Sequence, residues 1–151
     1  MGVFAGATFC AAVQNNDMVA AYASDNWSQP DLKPAREDLH WTISDVTVDT
    51  FVENLQENVT TETLDFDIQV LNGDSSQLGK KDFKHDVNII FYDGDNSEKK
   101  MREFFLNMID FTEDVFTLVV DDANIEENVA TTKRFIDCLL YTSDAADDYI
   151  R

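Results

Sequence analysis

Two apolar segments in this chain run directly into bare acids, with one amphipathic helix between them. Asn88-Ile89-Ile90-Phe91-Tyr92 leads into Asp93-Gly94-Asp95, and Val115-Phe116-Thr117-Leu118-Val119-Val120 leads into Asp121-Asp122. A strand, a crossover helix and a second strand form a parallel pair whose carboxyl ends are neighbours. The acids therefore crowd one edge of a sheet, where open α/β folds hold their ligands. Crowded carboxylates repel one another unless a cation or a shared proton relieves them. The pattern reads as a divalent-metal or catalytic site.

The rest of the chain alternates helical and strand periods, as an open βα-type sheet requires. Gly2 to Gly6 is a tight loop of small residues, and Thr8 to Gln14 reads as a short helix with Phe9, Ala12 and Val13 on one face. Met18 to Ala23 reads as a buried strand ending at Ser24-Asp25. Residues 27–47 lack a period and contain Pro30, Pro34, Trp27 and Trp41, which predicts an irregular connection or lid. A helix follows, with Val48, Phe51, Val52, Leu55 and Val59 at helical spacing, and Thr50 and Glu53 at the spacing of a capping box. Leu64, Phe66, Ile68 and Val70 alternate with polar residues, as in a strand wet on one face. The segments 87–92 and 115–120 are nearly continuous in apolar residues, which predicts strands covered on both faces. Between them Met101, Phe104, Phe105, Met108 and Ile109 form a helical stripe for the core. Glu126 to Ile136 reads as the last helix.

Charge narrows the function classes. The chain of 151 residues has a net charge of −19, with only 11 basic residues. It repels a phosphate backbone and an anionic membrane surface alike, so neither nucleic acid nor membrane is an expected partner. No apolar run is long enough to span a bilayer. Cys10 and Cys138 show no disulfide spacing and fit a reducing, cytoplasmic compartment. His40 and His85 lack metal-ligand spacing and read as surface residues.

The first loop carries the second chemical signal. Gly2-Val3-Phe4-Ala5-Gly6-Ala7-Thr8 spaces two glycines four apart and enters a helix. Glycine admits positive φ and close approach of a ligand to the backbone. Asp25 ends the next strand, where an acid can accept hydrogen bonds from a ribose diol. Gly73-Asp74 follows the third strand segment, although Asn72-Gly73-Asp74-Ser75 is also ordinary turn chemistry.

In order and spacing these motifs resemble the class I S-adenosylmethionine-dependent methyltransferases, nearest the macrocin-type O-methyltransferase group. The resemblance covers residues 1 to 136 through Gly2, Gly6 and Thr8, then Asp25, Gly73-Asp74, Asp93-Gly94-Asp95 and Asp121-Asp122. It implies a Rossmann-like α/β fold: an open, mostly parallel sheet with helices on both faces, here lacking strand one and the C-terminal strands. It further implies that Gly2, Gly6 and Thr8 line the methionine part of S-adenosylmethionine, that Asp25 holds the ribose and that Asp74 lies near the adenine. Asp93, Asp121 and Asp122 would bind Mg2+ or a similar hard cation. The acceptor would be a hydroxyl of a small molecule, with Asp93 and Asp95 as the catalytic acids. Two departures stand out. Asn96 replaces the family's usual His or Tyr, leaving Asp95 or a cation-activated oxygen as the base. The Glu expected before the glycine loop is absent, Met1 falls where strand one should run, and loss of that central strand is expected to make the chain fold poorly.

Two other readings stay open. Asp93-x-Asp95-x-Ser97 with Asp121-Asp122 also resembles a haloacid-dehalogenase-like magnesium phosphatase, though a single helix between the motifs leaves no room for that family's other elements. A cofactor-fold domain that binds without catalysis is the third. Finally, Cys138 to Asp148 resembles the translation of a transposase-type sequencing adapter. The expected division is a partial methyltransferase domain over 1–137 and an adapter-derived tail over 138–151.

Overall fold

The structure is a computed structural model that describes residues 1–14, 16–27, 46–59 and 66–148, with side chains through Cys138. The expected lid over 27–47, with Pro30, Pro34, His40 and Trp41, lies outside them except at its ends, as do Leu64 and Asp65. The chain is mixed α/β and divides into two compact units, Met1–Ser75 and Ser76–Arg151.

The first unit contains helix α1 (Ala7–Val13), strand β1 (Ala20–Asp25), helix α2 (Val48–Asn58) and strand β2 (Asp67–Asn72). β1 and β2 pair in parallel, from Ala20 opposite Asp67 to Asp25 opposite Asn72. The stripe on α2 packs as its spacing predicts, with Phe51, Leu55 and Val59 buried. They meet Cys10, Val13, Ala21 and Ala23 in one apolar cluster. Small alanines on β1 let the two helices lie close to the sheet. β2 alternates as expected, its polar Asp67 and Gln69 exposed. Two details differ from expectation. On α1 the buried residues are Cys10 and Val13, while Ala12 is exposed. The capping box of α2 lies at Thr47 and Thr50, not at Thr50 and Glu53, because the helix begins a turn earlier.

The second unit contains strand β3 (Val87–Tyr92), helix α3 (Glu98–Met108), strand β4 (Thr112–Val120) and helix α4 (Glu126–Asp148), preceded by two short 3-10 turns. β3 and β4 are parallel, with Ile90 opposite Leu118 and Tyr92 opposite Val120. Met101, Phe104, Phe105 and Met108 are fully buried, as their stripe predicts, whereas Ile109 is 42% exposed. Tyr92 lies 4.8 Å from the Phe104 ring, and Phe105 lies 5.0 Å from Phe135 of α4.

The expectation that β3 and β4 are covered on both faces is corrected. Ile90 and Tyr92 are buried, but Ile89 is 64% and Val119 41% exposed. α3 packs on the face that carries Tyr92 through Phe104 and Phe105, and α4 packs on α3 through Phe135, which leaves Ile89 and Val119 on the other face exposed. α4 also differs: it continues from Glu126 to Asp148, past the expected end at Ile136.

Candidate functional site

The chemistry-bearing residues fall into two clusters, one in each unit. In the first, the glycine loop folds back on the carboxyl end of β1. The Gly2 N–H donates to the Ser24 carbonyl at 2.8 Å, and the Gly6 N–H closes the loop onto the Val3 carbonyl at 2.7 Å. Gly2 and Gly6 have φ of 77° and 94°, and Phe4 between them also has positive φ, at 47°. A non-glycine residue in that region is uncommon and must be held there. Both sides of Phe4 are held. Its N–H donates to Asp25 Oδ2 at 2.7 Å, and its carbonyl accepts from Trp27 Nε1 at 2.8 Å. Asn54 of α2 donates to the Ala5 carbonyl at 3.0 Å. On the other side, the Gly73 N–H donates to the Asp25 carbonyl at 2.9 Å.

The structure thus gathers Gly2, Gly6, Asp25 and Gly73-Asp74 at one end of the β1–β2 pair. Asp25 is half-buried, and one of its carboxylate oxygens is committed to the loop. Trp27 packs over Phe51 at 5.4 Å, so its indole serves the loop and the core. Gly6 has a packing reason of its own: a Cβ there would lie 2.7 Å from the Phe51 ring. Thr8 lies exposed in the first turn of α1. Ser24 is fully buried, and its hydroxyl has no hydrogen-bond partner among the described residues.

The second cluster sits at the carboxyl ends of β3 and β4. The Asp121 N–H donates to the Tyr92 carbonyl at 2.9 Å, so the pairing carries Asp93 and Asp121 to the same end of the sheet. Both are exposed. Asp95 Oδ1 accepts the Ser97 N–H at 2.7 Å, an Asx turn that leads into α3, and the Asp95 carbonyl accepts from the Tyr92 hydroxyl at 2.8 Å. Asp121 Oδ1 accepts the Asp122 N–H at 2.7 Å. Asp122 has positive φ, at 53°, a conformation an Asp tolerates.

Asp122 is half-buried. Its Oδ2 accepts Asn96 Nδ2 at 2.8 Å, and Asn96 Oδ1 in turn accepts Asn128 Nδ2 at 3.0 Å. Asn128 is 1% exposed in the first turn of α4. Among the described residues no three His, Cys, Asp or Glu side chains converge as ligands of one ion. The donor set is nonetheless the hard oxygen kind that suits magnesium. Beside the cluster, Val120, Ala123, Val129 and Thr132 line a hollow of about 220 Å3, below the usual size of a ligand pocket.

Sequence reasoning reached the acids and glycines because they stand at strand ends. It missed Asn54 and Asn128, and it read Asn96 only as a lost base. A lone amide inside a helical pattern gives no motif, so only the fold reveals its partners. No family model, curated protein or solved structure matches the chain. Among the described residues no helix is long and apolar enough to cross a membrane.

Proposed function

We propose that this chain carries part of an S-adenosylmethionine-dependent O-methyltransferase of Rossmann-like fold. The observation that supports it most is the peptide of Phe4, held at positive φ between Asp25 and Trp27. That contact joins the glycine loop to the acid that ends β1, and Gly73 is bonded to the same residue. A nucleoside site needs this combination: backbone that approaches closely, beside an acceptor for a diol.

In this reading Gly2, Gly6 and Thr8 lie along the methionine part of the cofactor. Asp25 offers its remaining acceptor capacity to the ribose, and Asp74 borders the adenine. S-adenosylmethionine supplies a sulfonium methyl for in-line displacement. The protein's contribution is alignment of the acceptor oxygen. Asp93 and Asp121, with Asp122 beside them, would hold magnesium, which supplies charge to lower the acceptor's pKa. Asp95 is the remaining carboxylate at that edge able to take the proton. The acceptor is a small hydroxylated molecule.

A calorimetric titration with S-adenosylhomocysteine, run beside a magnesium-dependent phosphatase assay, tests the assignment. The proposal expects no phosphatase turnover and saturable binding, weakened about tenfold or more in Asp25→Ala, since a site built to hydrogen-bond a ligand hydroxyl loses much affinity when that bond is lost. Phosphatase turnover lost in Asp93→Asn, with no nucleoside binding, would replace it by the dehalogenase-like reading. Binding without methyl transfer to any hydroxyl acceptor would leave the non-catalytic one.

A further inference from the structure

The Asn96–Asn128 pair deserves a role because its geometry is one-sided. Asn128 sits almost wholly out of solvent at the start of α4, and its Oδ1 has no hydrogen-bond partner among the described residues. Its Nδ2 has two: Asn96 Oδ1 at 3.0 Å and the Asp122 carbonyl at 3.4 Å. Turning the amide over would place an N–H2 where the orphaned oxygen now lies, and would set oxygen against both present acceptors. A buried carbonyl oxygen without a partner is tolerated more often than a buried N–H. The orphan is therefore the mark of an orientation chosen by the donors. With Asn128 donating, Asn96 must present its oxygen to Asn128 and its nitrogen to Asp122, as it does at 2.8 Å.

We infer that Asn128 is a positioning residue which, acting through Asn96, keeps an amide donor turned onto Asp122, so that Asp122 Oδ2 meets any cation already carrying a hydrogen bond and is the weaker of its two oxygens as a ligand. This rests on the cation reading above and sharpens it. The principal anchors become Asp93 and Asp121, and Asn96 is a donor to the acid rather than a ligand of the ion. Aspartate at 128 has nearly the shape of asparagine but cannot donate. It would accept from Asn96, turn that amide over, and set Asn96 Oδ1 beside Asp122 as two oxygens facing one point.

Side-chain amide NMR on the full chain, with MgCl2 and MnCl2 as the probes, tests this. The wild type should show trans-hydrogen-bond coupling from Asn128 Nδ2 to the Asn96 carbonyl carbon and from Asn96 Nδ2 to the Asp122 carboxyl carbon. Both should persist when magnesium is saturating. Asn128→Asp should abolish the second coupling and raise manganese affinity several-fold. Asp93→Asn and Asp121→Asn should lower that affinity about tenfold or more, and Asn96→Ala should change it less. Absence of the wild-type couplings, which needs no variant to fold, overturns the inference. So does an Asn96–Asp122 coupling that survives Asn128→Asp, or one lost on adding magnesium. If neither ion perturbs any signal of the wild type, the cation reading fails, while the couplings still decide the orientation of the amides.

Discussion

Gly6 and Cys10 illustrate how far single residues of this chain are fixed by their surroundings. Gly6 combines a φ of 94° with a Phe51 ring 2.7 Å from where a Cβ would stand. Gly6→Ala should cost about 2 kcal/mol or more, read as a lower urea midpoint with an unchanged slope. A shift within error would mean that the loop relaxes freely. Cys10 is buried, and desolvation pushes its thiol above the ordinary value of 9.0. The folded protein then holds this proton at pH values where the unfolded chain has lost it. The stability from this group is complete below pH 9.0 and falls as pH rises toward the folded value. Thiol reagents at pH 8 should accordingly modify exposed Cys138 well before Cys10, as peptide mapping would show. Of the residues that matter here, Gly6 and Asp25 were legible because turn and strand-end chemistry restricts residue type. Asn54 and Asn128 were not, because an amide's partners come from elements distant in sequence.

At the scale of elements, apolar period was a good guide where one face meets a core. The stripes on α2 and α3 pack as read apart from exposed Ile109, since a run of Phe, Met, Leu and Val at helical spacing has only one way to leave water. Helix starts were less legible. Thr47, not Thr50, caps α2: its hydroxyl accepts from the Thr50 N–H, and Thr50 returns a bond to the Thr47 N–H, each at 3.3 Å. Thr47→Ala should therefore cost about 1 kcal/mol. Glu53→Ala should leave thermal stability nearly unchanged, and the reverse order would restore the original capping box. The strands β3 and β4 misled in a different way. Their continuous apolar composition suits a layer on each side, yet the crossover helix α3 packs on the face of Tyr92 and α4 packs on α3, leaving Ile89 and Phe91 exposed.

For the whole molecule, two parallel strand pairs, each with its own helices, define the α/β class. The two-stranded sheets depend on that helix cover, because a lone pair of strands is marginal in water. A net charge of −19 opposes compaction through self-repulsion. Adding about 0.3 M NaCl should raise the melting temperature, since screening over less than about 10 Å weakens that repulsion. Unchanged melting would mean that the acids are already compensated locally. The methyltransferase account depends on the loop cluster at the end of β1. Backbone amide NMR during titration with S-adenosylhomocysteine examines it directly. The account predicts saturable shifts concentrated at Gly2–Gly6, Asp25 and Gly73–Asp74, and their loss in Asp25→Ala. Shifts confined to other residues, or none at millimolar ligand in protein with its helical circular-dichroism signal intact, would contradict it.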